Sequence, residues 1–368
     1  MATADRIHPA ASHTFVPVSE AADPAGALGD WCSHDRLAIA IPDHTRPLQV
    51  GPVLEELLPR LAQPPKIIVG LGLHRPMQRH EIAPLLPFQP IQHRPDDCVP
   101  TADYQGIPGL VLREVAEADW SLSIGVAELH QYAGLSGGHK GVAVGCGGRQ
   151  TIQALHHRAR VTASGVRLGQ LVDNPFRMAV DALGKAARCR KALVYVPACQ
   201  RWLFGDPQAV LQRAVTMISP WHFLPEPAAG ALLYVPAAKG QSLYQASRAA
   251  TYLALSPHPP VKPGGELIIQ APLPEGLGSE AGFVRLLQQY RPPWSALLDG
   301  PAPQGAGAQR AVMLALLAKK YRLRITGCVN AEPFLQVGLD AQCQPAVVPE
   351  DFLQVKNPFS LLPQWRSC

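Results

Sequence analysis

Short apolar runs alternate along the chain with polar loops and with segments whose apolar positions recur at helical spacing. Arg36 to Ile41 is a brief apolar run bounded by turn residues, the signature of a buried strand. The polar stretch Pro42-Asp43-His44-Thr45-Arg46-Pro47 follows, and Val50 to Leu61 then reads as a helix. Lys66–Gly70 is the next strand, ending in Leu71-Gly72-Leu73-His74-Arg75-Pro76, with a helix expected from about Gln78 to Leu86. Further on come the apolar run Trp120–Gly125, a helix over Thr151–Arg158 carrying His156, a strand Lys191–Pro197 and a helix Pro207–Ile218. Strand, polar loop and helix in repeated succession predict an α/β architecture with a largely parallel sheet.

The pattern restarts after a Pro, Ala and Gly-rich stretch at Pro225–Ala229, read here as a hinge. Strands at Ala231–Val235, Glu266–Gln270 and Arg322–Thr326 are interleaved with helices at Ser242–Leu253, Gly278–Tyr290 and Ala306–Lys320. The expectation is therefore two α/β domains with mainly parallel sheets and a cleft between them. They would be residues 1–225, which anchor the ligand, and residues 226–350, which close over it. Residues 1–30 are read as a loose leader and the tail 351–368 as returning to the first domain. In open parallel sheets ligands sit beyond the carboxyl ends of the strands. The loops at Asp43–Arg46, at His74–Arg75 and around His130 all fall on that edge.

Composition narrows the classes. A length of 368 residues supports two cores, and 47% hydrophobic with 17% charged residues is ordinary for a globular enzyme. A net charge of +5 without a basic cluster gives no nucleic-acid footprint and fits small anions better. The eight cysteines are scattered without a C-x-x-C pair, against a disulfide scaffold or a thiolate zinc site. No apolar stretch reaches the length of a membrane span and no signal-like start is present, so a cytoplasmic protein is expected. Walker, G-x-S-x-G and H-E-x-x-H sequences are absent, and Gly70-x-Gly72 is too incomplete for a dinucleotide fingerprint.

The densest chemistry lies in Glu128-Leu-His130-Gln-Tyr-Ala-Gly-Leu-Ser136-Gly137-Gly138-His139-Lys140-Gly141, followed by His156 sixteen residues after the lysine. A Ser-Gly-Gly turn brings backbone N–H groups close to a ligand because glycine has no Cβ. Lys140 emerging from it can hold a phosphate or an electrophile, while His130 and His156 suit proton transfer or metal ligation. Taken singly, each residue is more often a surface turn, a solvated lysine or an ordinary histidine.

Taken together, His130, Ser136-Gly137-Gly138, Lys140 and His156 resemble the cofactor segment of the lactate racemase family of nickel-pincer nucleotide enzymes. Asp43-His44-Thr45-Arg46-Pro47 is similar to the family's D-x-T-R-P loop, and Gly72-Leu73-His74-Arg75-Pro76 to its G-x-H-R-P. Leu243–Ala246, Pro263–Gly265 and Glu275–Gly278 resemble family punctuation further along. The resemblance implies a racemase or epimerase of a 2-hydroxy acid, working by reversible hydride transfer through a planar 2-keto acid. Its cofactor would be a pyridinium-3-thioamide-5-thiocarboxylic acid mononucleotide carrying nickel, supplied by cofactor-synthesis enzymes. Lys140 would be the covalent tether and His156 the protein ligand to nickel. His74 and His130 would be the two acid/bases. Thr45, Ser136, Gly137 and Gly138 would line the cofactor, with Asp43 read as binding the cofactor, fixing Arg46 or capping the following helix. Arg46 would hold the substrate carboxylate through its guanidinium fork. Gln309 and Arg310 would meet substrate or nucleotide, the bland reading of Arg310 being a solvated helix charge.

His139 stands where the family commonly carries arginine, which puts the usual phosphate contact in doubt and leaves the 2-hydroxy acid unnamed. Two other readings compete. A non-catalytic protein that stores or delivers the cofactor needs the tether and ligand but not two proton shuttles. A zinc hydrolase built on His74, His130 and His156 leaves Lys140 unexplained. His44, His80, His93, His157 and His222 are read as surface or packing histidines.

Overall fold

A computed structural model describes residues 17–218, 223–224, 226–256, 258–305, 307–359 and 364–365. The chain forms two compact units: Met1–Gly72, Pro76–Leu155 and Ala163–Ser219 in one, and Leu73–Arg75, His156–Thr162 and Pro220–Cys368 in the other.

The first unit is built on a seven-stranded sheet in the order Val18–Ala21, Arg201–Gly205, Cys189–Val196, Trp120–Val126, Leu37–Pro42, Lys66–Gly70 and Ile91–Gln92. From Cys189–Val196 to Ile91–Gln92 neighbouring strands run parallel; the other two add an antiparallel margin. The central strands are apolar at nearly every position because both faces are covered, as a parallel sheet requires. Ile39, Ile41, Val69, Leu122 and Leu193 enter a core with Leu54 and Leu57 of the Val50–Leu57 helix, and Ala38, Ala40 and Ile68 enter the opposite one with Val111 and Val142. Strand ends at Pro42 and Val126 open directly into the Asp43–Arg46 and Glu128–His130 segments.

The second unit holds a five-stranded, all-parallel sheet in the order Asp340–Gln342, Arg322–Thr326, Val261–Gln270, Ala228–Tyr234 and Phe352–Val355. The Leu243–Ala254 helix starts at Ser242, whose hydroxyl accepts from the Gln245 backbone N–H at 3.5 Å.

Several expectations are corrected. The expected Gln78–Leu86 helix is one turn, Arg79–Ile82, that tightens into a 3-10 helix over Ala83–Phe88, where Pro84 and Pro87 remove backbone donors. The expected helix over Thr151–Arg158 ends at Leu155, and a new one starts at Arg158 with His157 Nδ1 accepting from the Ala159 N–H. Residues 17–30 are not a loose leader: Val18–Ala21 pairs with Arg201–Gly205, and Ala27 and Leu28 are buried. Among the described residues of the tail, Phe352–Val355 is an edge strand on Ala228–Tyr234 in the second unit. Ala228 and Ala229 belong to a strand rather than a hinge. Pro225, Ala306, His222, residues 1–16 and most of 360–368 lie outside the described residues.

Candidate functional site

His130, in the first unit, is 8% exposed and is held by its own turn. Its Nδ1 accepts from the backbone N–H of Tyr132 at 3.3 Å and of Ala133 at 3.1 Å. A nitrogen that accepts is unprotonated, so the neutral ring carries its hydrogen on Nε2. The Tyr132 ring stands nearly edge-on at 5.7 Å and Phe176 lies at 6.4 Å, fixing the plane of the imidazole.

After this turn the backbone tightens into Ser136-Gly137-Gly138. Gly137 and Gly138 have φ of +89° and +59°, and a Cβ on Gly138 would stand 2.9 Å from the Pro207 carbonyl oxygen. Only glycine is comfortable there. Ser136 is 4% exposed and its hydroxyl makes no hydrogen bond, an orphaned polar atom beside a close-packed backbone. Lys140 is half-buried and opens a π-helical turn, Gly141–Gly145. A turn stripped of side chains, one buried hydroxyl without a partner and an amine next to it fit a phosphorylated or otherwise anionic group tethered at Lys140.

Asp43 does not cap the following helix, whose first flanking residue is Gln49. Its Oδ1 instead accepts from the Thr45 N–H at 3.1 Å and hydroxyl at 2.5 Å. Arg46 donates to Glu128 at 2.9 Å, and Glu128 is 3% exposed. Glu128 is a partner that reading the motifs alone did not identify; it sits two residues before His130.

His139 points inward. It is 1% exposed, its Nδ1 lies 3.0 Å from Asp181, and its ring packs against Gly184. The side chain at 139 is spent on the interior.

In the second unit His74 is half-buried, with its Nε2 3.2 Å from the side-chain nitrogen of Gln245. An amide nitrogen only donates, so His74 accepts there and its neutral ring keeps its hydrogen on Nδ1. Tyr244 stands edge-on at 6.5 Å. Arg75 pairs with Glu275 at 2.8 Å. Glu280 is buried; burial pushes its carboxyl pKa up, against the opposing pull of His74. Gln309 donates to the Tyr244 hydroxyl at 3.5 Å. Arg310 is not a solvated charge: it is 4% exposed and donates to Thr251 at 3.0 Å. His156 is half-buried in the turn after Leu155. Tyr244 and Gln245 lie in the Leu243–Ala246 stretch already noted as family-like, but their nearness to His74, and that of Glu280, was not visible in the motifs.

Thus Asp43, Thr45, Arg46, His130, Ser136–Gly138 and Lys140 fall in the first unit, and His74, His156, Gln309 and Arg310 in the second. Among the described residues no three His, Cys, Asp or Glu side chains gather as a metal site. All seven described cysteines are free thiols, and Cys368 lies outside the described residues. No described helix is long and apolar enough to cross a membrane.

Fold and site define an α/β protein with parallel sheets and a glycine-tight lysine loop following a strand's carboxyl end. Residues 27–168 match the model of the lactate racemase N-terminal domain, and over this stretch the chain is similar to the lactate racemase family. It is 29% identical over 153 residues to the lactate racemase of Lactiplantibacillus plantarum, an alignment covering 38% of this chain and 36% of that protein. The chain thus spans only about a third of that relative's length. In fold it resembles the lactate racemase apoprotein of Thermoanaerobacterium thermosaccharolyticum, with a TM-score of 0.71 at 19% identity over 90% of this chain and 87% of that one. It also resembles a structural-genomics protein from Thermotoga maritima, with a TM-score of 0.72 at 16% identity over 93% and 96% of the two chains.

Proposed function

We propose that the protein is a racemase or epimerase of a 2-hydroxy acid that uses a nickel-pincer nucleotide. The observation that carries this is the loop from Ser136 to Lys140: two left-handed glycines, an orphaned buried hydroxyl and a half-buried amine. Ser136, Gly137, Gly138 and Thr45 would line the nucleotide, Lys140 would tether it, and His156 would supply the one protein ligand to nickel. Imidazole suits Ni(II). When bound, the group supplies a reversible acceptor for the substrate's α-hydrogen.

The chain's own side chains do the rest. Arg46, oriented by Glu128, meets the substrate carboxylate, with Arg310 and Gln309 as further polar contacts. His130 presents an Nε2 hydrogen to the substrate oxygen from a ring its own backbone has fixed. His74 is the second acid/base, its ring set in place by Gln245 at Nε2. Proton transfer by a positioned imidazole contributes about 10²–10⁴-fold, so losing either histidine should slow both directions. A storage or delivery protein has no use for a buried imidazole with a backbone-fixed tautomer, which favours the enzyme. A cytoplasmic setting, where cofactor-synthesis enzymes would load the protein, belongs to the same reading.

The test is to produce the protein with and without cofactor-synthesis enzymes and measure intact mass, nickel content and scrambling of single enantiomers of 2-hydroxy acids. A nucleotide adduct mapped to Lys140, one nickel per chain and racemisation would support the reading. An adduct with nickel but no scrambling of any 2-hydroxy acid would favour the carrier, and no adduct on Lys140 would sink both.

A further inference from the structure

The helix Pro175–Ala186 presents one face to the loop that carries Lys140, and the spacing along that face is regular. Asn174, Arg177, Asp181 and Gly184 follow one another by three, four and three residues, which places them on one side of a helix. Together they meet the chain between His130 and His139 at three points, Tyr132, Leu135 and His139. The Asn174 side chain donates to the Tyr132 carbonyl at 2.8 Å while accepting from the Arg177 N–H at 3.0 Å. Arg177, 2% exposed, donates to the Leu135 carbonyl at 3.3 Å and pairs with Asp181 at 3.0 Å. Asp181 accepts from His139 at 3.0 Å and from Gln208 at 3.0 Å. Gly184 leaves the room that His139 fills, since a Cβ there would fall 2.4 Å from the Cβ of His139.

A buried arginine and aspartate are costly to assemble unless their hydrogen bonds are met, and cores of similar size manage without them. What this pair does here is hold one backbone carbonyl, that of Leu135, and one side chain, that of His139, either side of Ser136-Gly137-Gly138. Glycine-rich loops are otherwise the first to move. We infer that His139, Asp181 and Arg177 are positioning residues for Lys140, a buried clamp that holds the glycine turn in one conformation so that the amine is presented ready to bond. The inference rests on the reading of Lys140 as the tether. It also gives the histidine at 139 a task of its own: a ring that donates through Nδ1 and fits over Gly184.

Two measurements test it. The first follows the growth of the Lys140 adduct by intact mass during exposure to the cofactor-synthesis enzymes, well below the melting temperature of each variant. His139→Ala should slow adduct growth roughly tenfold, the worth of one charge-assisted hydrogen bond. His139→Asn, whose side-chain nitrogen stands near the Nδ1 position, should restore it to within about twofold. A cluster that merely stabilised the fold would lower the melting temperature without changing this rate in folded protein. The second is hydrogen exchange of the apoprotein: peptides covering 134–145 should exchange roughly tenfold faster in His139→Ala, with the Lys66–Gly70 strand unchanged. If His139→Ala does not fold, Gln208→Ala, which removes only the outer amide on Asp181, is read on the same two scales with a smaller change in the same direction. Wild-type adduct growth and wild-type exchange at 134–145 in the variant would overturn the clamp. So would a uniform rise in exchange across the first unit, or failure of His139→Asn to rescue. If the wild type itself takes no adduct, the tether reading fails, and the exchange measurement still decides whether these residues lock the loop.

Discussion

The two histidines assigned to proton transfer are held in opposite ways. His130 is gripped by backbone: two amide N–H groups meet Nδ1, two aromatic rings set the plane, and no rotamer of a neighbour can release it. His74 is met by a side chain, Gln245, whose other amide atom, Oε1, is buried and makes no hydrogen bond. A carboxamide can turn over, donating to a neutral imidazole and accepting from a protonated one. Backbone support fixes one tautomer of His130, while side-chain support leaves the partner of His74 free to turn over. The two rings proposed as acid/bases are thereby held by unequal supports.

Removing each histidine breaks the comparison most directly. His130→Ala and His74→Ala should each lower interconversion by about 10³-fold in both directions, with the Lys140 adduct retained in the intact mass. A variant that loses only one direction would contradict the shared role. Next in size is the support under the His130 segment. Glu128 is buried against Arg46, so Arg46→Ala, which takes away one partner of a buried carboxylate, should cost about 3 kcal/mol in urea unfolding. The double variant Arg46→Ala, Glu128→Gln should recover part of this.

A third buried imidazole sets the background against which pH effects are judged. Burial pushes His93 down from 6.5 to about 4. The folded protein keeps this ring neutral while the unfolded chain takes up a proton below about pH 6.5. Its contribution is thus fully present above that pH and is lost as pH falls towards 4, about 3 kcal/mol across the window. His93→Leu should flatten that part of a stability–pH curve measured by chemical denaturation. Smallest of all, Gln245→Ala should slow turnover by roughly tenfold, and should shift the pH profile of kcat, since only the adaptable support is lost. An unchanged profile would mean that Gln245 does no more than fill space.

Much of this was legible in the chain, and the part that was not has physical causes. Apolar runs such as Arg36–Ile41 and Lys66–Gly70 appear as strands because a two-sided parallel sheet demands continuous hydrophobicity. The Gln78–Leu86 helix shortened because proline removes donors that periodicity does not count. Arg201–Gly205 and Phe352–Val355 went unread because strands at or near a sheet's margin are short and need their partners to be visible. Ser136–Lys140 announced itself through glycine and lysine. The inward turn of His139 did not, because its reason lies on Asp181, forty-two residues further along the chain. Arg310 looked like a surface charge on a helix, and only packing shows it buried with Thr251.

The π-helical turn Gly141–Gly145 directly after Lys140 has a consequence for how this stretch can vary. Such a turn houses one residue more than an α-helix would, so deleting any one of those five would let the segment relax into regular winding. The lysine upstream would then swing by about 100° around the axis, the angle between successive α-helical residues. Lineages of this protein should therefore accept substitutions in these five positions far more readily than changes of length, because length here is what aims the amine.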